Sequence, residues 1–220
     1  MRLGFFGGTF NPIHFGHLRA AEEARERVGL DKVVFIPAKS PPLKAEDVAS
    51  AEHRLRMTSI AVAPNFFFEV SDMECRRPEK SYTVETAREL RDEYPGSDLF
   101  FIVGADAFLE IPLWREPDEL VRLIDFVVIG RPTARFAELA ESPYVEAGGD
   151  ELSSLDSGER ETLEVGLRGG RLAVLLGAPF LDISSTGIRR NIREGRSIKY
   201  LLPGRVESFI MTNGLYKGKP

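Results

Sequence analysis

The chain has a single cysteine, Cys75, in 220 residues. One thiol cannot close an internal disulfide and cannot by itself build a thiolate zinc site. Arg76 and Arg77 in its flanks would favour a thiolate, but nothing else there marks a nucleophile, and a packed thiol is the expectation. Basic excess is lacking too: 29 Lys and Arg stand against 34 Asp and Glu, a formal charge of -5. Nucleic-acid and anionic-membrane surfaces need the opposite balance, so neither partner is expected, although one locally basic pocket could still take a small anion. No apolar run approaches the roughly 20 residues of a membrane helix. The start, MRLGFFGGTF, has neither the long apolar stretch nor the small-residue cleavage site of a secretory leader. The expectation is a cytoplasmic protein folded as one domain over residues 1–220; whether it forms a homo-oligomer is left open.

What is present is alternation. Short apolar runs at Leu3 to Gly7, Lys32 to Pro37, Phe66 to Val70, Leu99 to Gly104, Asp125 to Gly130 and Arg171 to Leu176 are rich in β-branched and aromatic residues. Between them, Gly16 to Val28, Ala51 to Ala63 and Thr83 to Tyr94 mix charge with apolar residues at helical spacing. This pattern predicts an α/β fold with a doubly wound, mostly parallel sheet and ligands at the strand carboxyl ends. Helices are expected from Ser184 onward and over Pro203 to Thr212. Residues 135–170 turn acidic and rich in Gly and Ser, and are expected to form helix plus a mobile surface loop, without a strand.

The stretch GGTFNPIHFGHL, Gly7 to Leu18, asks for more than packing. Gly7 and Gly8 let backbone amides approach a ligand, and Thr9 to Pro12 lead to a helix start near Gly16, which outlines an anion site. It is neither G-x-G-x-x-G nor a P-loop. His14 and His17, three apart at the helix start, could both project toward whatever the glycine loop holds. Turn and capping roles account for an isolated H-x-x-H equally well. A metal site lacks a third ligand nearby, since His53 falls in another helix.

His14-Phe15-Gly16-His17 resembles the signature of the H-x-G-H nucleotidyltransferase superfamily, and the rest of the chain resembles its bacterial nicotinate mononucleotide adenylyltransferase branch. Ile183 to Arg190, ISSTGIRR, is similar to the second signature of that family, which grips the triphosphate of ATP from a helix N-terminus. On local sequence, Ser184, Ser185 and Thr186 could simply cap a helix and Arg189 be solvated. The resemblance implies a Rossmann-like nucleotidyltransferase fold with C-terminal helices. It gives ATP contacts to Gly7, Gly8, Thr9, Phe10, Gly16, Gly104, Asp106, Ser184, Ser185 and Thr186, and catalytic roles to His14, His17 and Arg189. Asp106 in FIVGADAF either accepts ribose hydroxyls, caps the following helix, or does both. Thr83 in SYT is implied to help hold the nicotinate carboxylate, Trp114 to stack on the pyridine, and Lys44, in a loop from Lys39 that closes over the mononucleotide, to meet its phosphate. Ser81 or Thr83 as a helix cap, Trp114 as a core residue and the lysines as solvated are the plain alternatives. Arg54 and Arg131 fit the family pattern without a firm role. Asn11 stands where many superfamily members have Asp, keeping an acceptor while removing a charge near phosphates.

The implied reaction is attack by the 5'-phosphate of nicotinate mononucleotide on the α-phosphorus of ATP, giving nicotinate adenine dinucleotide and pyrophosphate. Mg²⁺ is expected to arrive with ATP, with no protein metal site. The alternatives are nicotinamide mononucleotide as the acceptor, or a non-catalytic nucleotide-binding regulator on the same fold.

Overall fold

The computed structural model describes residues 1–39, 48–78, 80–131, 133–177 and 181–217. Among these residues, eight strands hydrogen-bond in the order β3-β2-β1-β4-β5-β8-β7-β6. They are β1 (Arg2–Gly8), β2 (Lys32–Pro37), β3 (Phe68–Val70), β4 (Asp98–Gly104), β5 (Asp125–Ile129), β6 (Val145–Glu146), β7 (Thr162–Leu167) and β8 (Arg171–Leu176). The helices are α1 (Phe15–Val28), α2 (Ala51–Val62), α3 (Met73–Arg76), α4 (Thr83–Glu93), α5 (Ala105–Leu109), α6 (Pro117–Leu123), α7 (Gly149–Asp156), α8 (Ser185–Arg193) and α9 (Gly204–Thr212). The sheet is mostly parallel and flanked by helices, the doubly wound α/β arrangement that the alternation predicts.

The chain divides into two compact units, with β1, α1 and β2 running through both. One unit comprises Met1–Phe6, Ala21–Val33 and Tyr82–Phe180. Here β1, β4, β5 and β8 pair in parallel, with Phe5 beside Phe101, Phe101 beside Phe126 and Val127 beside Val174. Strands buried on both faces need continuous apolar runs, and β5 is buried from Asp125 to Ile129. Phe101 and Phe108 meet the Phe126 ring at 6.4 and 5.3 Å. On the surface of this unit, Arg88 of α4 bonds Glu119 of α6, at 2.8 Å, and Glu116, the residue before α6.

Residues 135–170 depart from expectation. They hold a 3-10 helix (Phe136–Glu141), β6, α7 and β7, and β7 pairs antiparallel with β8. In TLEVGL, Leu163, Val165 and Leu167 point inward and the residues between them outward. The period of two was there to read, but the acidic, Gly/Ser-rich flank obscured it. Asp156 closes the segment by accepting from the backbone N–H groups of Phe136 (2.8 Å) and Ala137 (3.0 Å). β3 also starts later than expected, at Phe68, because Phe66 is exposed.

The other unit comprises Gly7–Ala20, Val34–Ser81 and Leu181–Pro220. The Phe35 ring of β2 packs against Phe10 at 5.7 Å and Phe68 at 5.3 Å. Ser50 caps α2 by accepting from the His53 N–H at 3.2 Å. On α2 the buried stripe is Arg54, Met57, Thr58, Ala61 and Val62, helical spacing with an arginine at its head.

Candidate active site

The glycine loop belongs to the second unit. Gly7 and Gly8 end β1 half-exposed, and the Gly8 carbonyl accepts from the Ala38 N–H at 2.9 Å. Phe10 takes a left-handed φ of 46°, and Asn11-Pro12 is a cis peptide. The Phe10 ring folds back so closely that a Cβ on Gly8 would sit 3.0 Å from it. Its edge also meets the His17 ring at 5.1 Å. A non-glycine residue at this φ costs about 1–3 kcal/mol and persists only where its surroundings hold it, as these ring contacts hold Phe10.

α1 begins at Phe15, so His14 immediately precedes the helix and His17 lies in its first turn. The two imidazoles stack, centroids 3.7 Å apart and 28° from parallel. His14 is 2% exposed, whereas His17 is half-buried. The His14 backbone N–H donates to His17 Nδ1 at 3.3 Å. Nδ1 is thereby the acceptor, so the neutral ring carries its proton on Nε2 and presents a donor there. Gly16 is required by close approach: a Cβ would meet His14 Nδ1 at 2.9 Å and the Leu181 carbonyl oxygen at 3.3 Å.

The second signature lies in the same unit. Ser184 is the N-cap of α8, its hydroxyl accepting from the Gly187 N–H at 3.1 Å. The capping alternative therefore holds for Ser184 alone. Ser185 Oγ donates to the Pro12 carbonyl at 2.9 Å, and Arg189 Nη1 donates to the Asn11 carbonyl at 2.9 Å. Thr186 is exposed in the first turn, with the Arg189 Nη2 donor 3.4 Å from its hydroxyl. These bonds bring an exposed helix N-terminus, its partial positive charge and a guanidinium to the loop that carries the histidines. The combination of fixed donors and no nearby acid suits a polyphosphate. Among the described residues no carboxylate lies within ion-pair distance of Arg189.

Sequence reading left Arg54 unassigned, and the structure gives it work. At 1% exposure, its guanidinium donates to the carbonyls of Ala49 (3.0 Å), Thr9 (2.8 Å) and Lys39 (2.8 Å). Burial pulls its pKa below the usual guanidinium value. Its place on the apolar stripe of α2 was the available signal. Tyr216, which no motif singled out, donates its hydroxyl to Asn11 Oδ1 at 2.8 Å. Burial pushes that hydroxyl far above the ordinary tyrosine range, against the opposing pull of Arg189 and Arg54. Cys75 is a packed thiol 3.3 Å from the Pro37 carbonyl, and burial raises its pKa too.

In the first unit, β4 ends at Gly104, where a Cβ would meet Asp106 Oδ1 at 2.5 Å and Arg131 Nε at 2.9 Å. Asp106 is exposed and its carboxylate accepts from the Ala107 N–H at 3.0 Å. The N-cap of α5 is Gly104, so Asp106 is not the cap and its remaining oxygen can accept hydroxyls. Thr83 opens α4 after Tyr82, whose side chain caps nothing, so Thr83 is the first helical residue rather than the cap. A helix start without a side-chain acceptor favours an incoming carboxylate. The Arg115 guanidinium lies 4.7 Å over the Tyr82 ring, and its Nη1 is 3.4 Å from Glu85. Trp114, next to Arg115 in the chain, is half-buried, and its backbone N–H donates to the Ile111 carbonyl at 2.9 Å.

Lys39 donates its ammonium to the Arg77 carbonyl. Lys44, and with it the loop expected to close over the mononucleotide, lies outside the described residues. Among the described residues no group of three or more His, Cys, Asp and Glu side chains could hold a metal ion, and no helix is long and apolar enough to cross a membrane.

The cytidylyltransferase-like family model matches residues 5–191. A probable nicotinate-nucleotide adenylyltransferase of Citrifermentans bemidjiense is 46% identical over 217 residues, covering 98% of this chain and 98% of that protein. One of the same description from Desulfitobacterium hafniense is 43% identical, covering 98% of this chain and 96% of that protein. Among solved structures, the Plasmodium falciparum nicotinic acid mononucleotide adenylyltransferase complexed with NaAD is similar with a TM-score of 0.75. It is 18% identical, over 99% of this chain and 98% of that one, which is a likeness of fold.

Proposed function

Since the chain belongs to the cytidylyltransferase-like family, we infer from its full-length relatives and its two phosphate-binding signatures that it is a nicotinate-nucleotide adenylyltransferase. It transfers the adenylyl group of ATP to nicotinate mononucleotide, releasing pyrophosphate and forming the dinucleotide used in NAD biosynthesis. The observation that carries the reading is the pair of bonds from Ser185 to Pro12 and from Arg189 to Asn11, which join the histidine loop to the α8 N-terminus.

The nucleophile is a phosphate monoester, already anionic at neutral pH, so no general base or covalent residue is needed. Catalysis rests on holding two anions in line and on meeting the charge that moves onto pyrophosphate. In this reading His17 donates from Nε2 to the α-phosphate as the bond to the leaving group lengthens, and His14 supports its ring and adds a second imidazole. Arg189 and the N–H groups at the start of α8 take the β- and γ-phosphates. Asp106 and the Gly104 backbone take the adenosine ribose. Thr83 and the first N–H groups of α4 take the nicotinate carboxylate, with Trp114 against the pyridine. A carboxylate at a helix N-terminus gains from the positive end of the helix, whereas an amide gains less, which favours the acid mononucleotide.

Mg²⁺ is proposed to come with the triphosphate, where it neutralises charge on the phosphate oxygens. Phosphate oxygens and water suffice to carry this hard cation, so the residues present fit an ion brought by ATP better than one held by the protein. The substrates are proposed to be met in the cytoplasm.

The test is pyrophosphate release with ATP and Mg²⁺, run in parallel with nicotinate mononucleotide, nicotinamide mononucleotide and phosphopantetheine. Turnover with the acid mononucleotide well above the other two is expected. Preference for the amide or for phosphopantetheine would replace the acceptor, and silence with all three would make the chain a nucleotide-binding regulator.

A further inference from the structure

We propose that Tyr216, acting through Asn11, is a positioning residue for Arg189, a neutral clamp that holds the guanidinium in place for ATP without consuming its charge. The inference rests on the ATP-binding reading of the site above.

Asn11 is a hub. It is 4% exposed, and its Oδ1 accepts two bonds, from the Tyr216 hydroxyl at 2.8 Å and from the Ala49 N–H at 3.0 Å. Its backbone carbonyl accepts Arg189 Nη1 at 2.9 Å, and the next carbonyl, that of Pro12, accepts Ser185 at 2.9 Å. The position of Asn11 therefore sets where both α8 side chains can reach. Tyr216, beyond the end of α9, holds it from the C-terminal side of the chain. Its own backbone adopts a left-handed φ of 65°, a conformation that persists in a bulky residue only when surrounding contacts fix it.

The chemistry of the holders matters as much as their geometry. Arginine could be oriented more simply by a carboxylate, but an ion pair would neutralise it and compete with phosphate. Here every hydrogen-bond partner of Arg189 among the described residues is uncharged: the Asn11 carbonyl and the Thr186 hydroxyl. Arg189 Nε is buried and has no protein partner among those residues, so a donor remains for an incoming anion. The clamp behind them, the Asn11 amide and the Tyr216 phenol, is neutral too. Burial keeps the phenol protonated at any working pH, so no phenolate forms to attract the guanidinium.

The experiment is a calorimetric titration of ATP into the full chain and its Tyr216→Phe, Arg189→Ala and doubly substituted variants, alongside their melting temperatures. Phenylalanine keeps the ring and deletes one hydrogen bond, so ATP affinity is expected to fall about three- to tenfold. The affinity for nicotinate mononucleotide should stay within about twofold. In the Arg189→Ala background, Tyr216→Phe should lose most of its effect on ATP, because the two act in series. Unchanged ATP affinity in Tyr216→Phe would overturn the proposal, and so would a full Tyr216→Phe effect persisting without Arg189. A fall in melting temperature with both affinities intact would show a purely structural tyrosine and overturn it as well. ATP binding is read without the acceptor, so a wrong acceptor leaves this test standing. Failure of the unsubstituted chain to bind ATP would overturn both readings.

Discussion

The imidazole rings of His14 and His17 stack with centroids 3.7 Å apart, one ring buried and the other half-open. In the proposed reading the inner ring supports and the outer one meets the ligand. His17→Ala should therefore lower kcat about 100- to 1,000-fold, the cost of one well-placed donor to developing charge, with little change in melting temperature. His14→Ala should cost less turnover and more stability. Steady-state rates and thermal melts of the two variants decide it, and equal, small losses of turnover would remove both assigned roles.

Gly16→Ala places a methyl group 2.9 Å from His14 Nδ1 and 3.3 Å from the Leu181 carbonyl oxygen. One neighbour is a ring in a packed stack and the other is backbone, so neither yields freely. A stability loss of about 1–3 kcal/mol is expected, with turnover reduced at least tenfold as the His14 ring is displaced. Wild-type activity with an unshifted melt would show that the stack tolerates the methyl.

Arg54→Leu leaves the carbonyls of Thr9, Lys39 and Ala49, which face a guanidinium only 1% exposed, without that donor. At roughly 1–3 kcal/mol for each buried acceptor left unpaired, a loss of at least about 3 kcal/mol is expected in chemical denaturation. Arg54→Lys should recover little of it, since an ammonium cannot span three acceptors arranged around a planar fork. Full recovery by lysine would point to charge rather than geometry.

Tyr216 also predicts a pH effect. Burial raises its pKa in the folded chain, so the folded state holds that proton more tightly than the unfolded one. The stability it contributes is complete below the unfolded tyrosine value of about 10 and is lost as pH rises from there toward the higher folded value. Melting temperatures followed from about pH 8 to about pH 11 should fall more steeply for the parent chain than for Tyr216→Phe. Parallel curves would contradict the assignment.

Trp114→Ala should raise the KM for nicotinate mononucleotide about tenfold, the order of one lost aromatic stacking contact with its buried area, and leave the KM for ATP unchanged. An unchanged KM for the mononucleotide would make Trp114 a packing residue.

Much of this was legible from local sequence. The parallel strands β1, β4, β5 and β8 are short apolar runs ending near Gly or Leu, and local pattern suffices for strands buried on both faces. β7 was missed because an edge-side strand shows only alternation, and Gly166 within it and the acidic turn before it, with Glu159 and Glu161, weaken it. The histidine loop and the ISST segment announced themselves by residue types that packing does not require. Arg54 did not, because a lone arginine on a helix is ordinarily solvated. Tyr216 lies 205 residues from Asn11, and no spacing rule connects them.

The sequence by itself determined the alternating α/β pattern, the family, and the donors available to a polyphosphate, since all of these depend on residue identity and near-neighbour spacing. Tertiary structure alone decided which groups those donors face. It set His14 inside and His17 outside, seated Arg189 on the Asn11 carbonyl, and surrounded that arginine with neutral partners. The physical reason is that hydrogen bonds act over about 3 Å of space, whatever the separation along the chain.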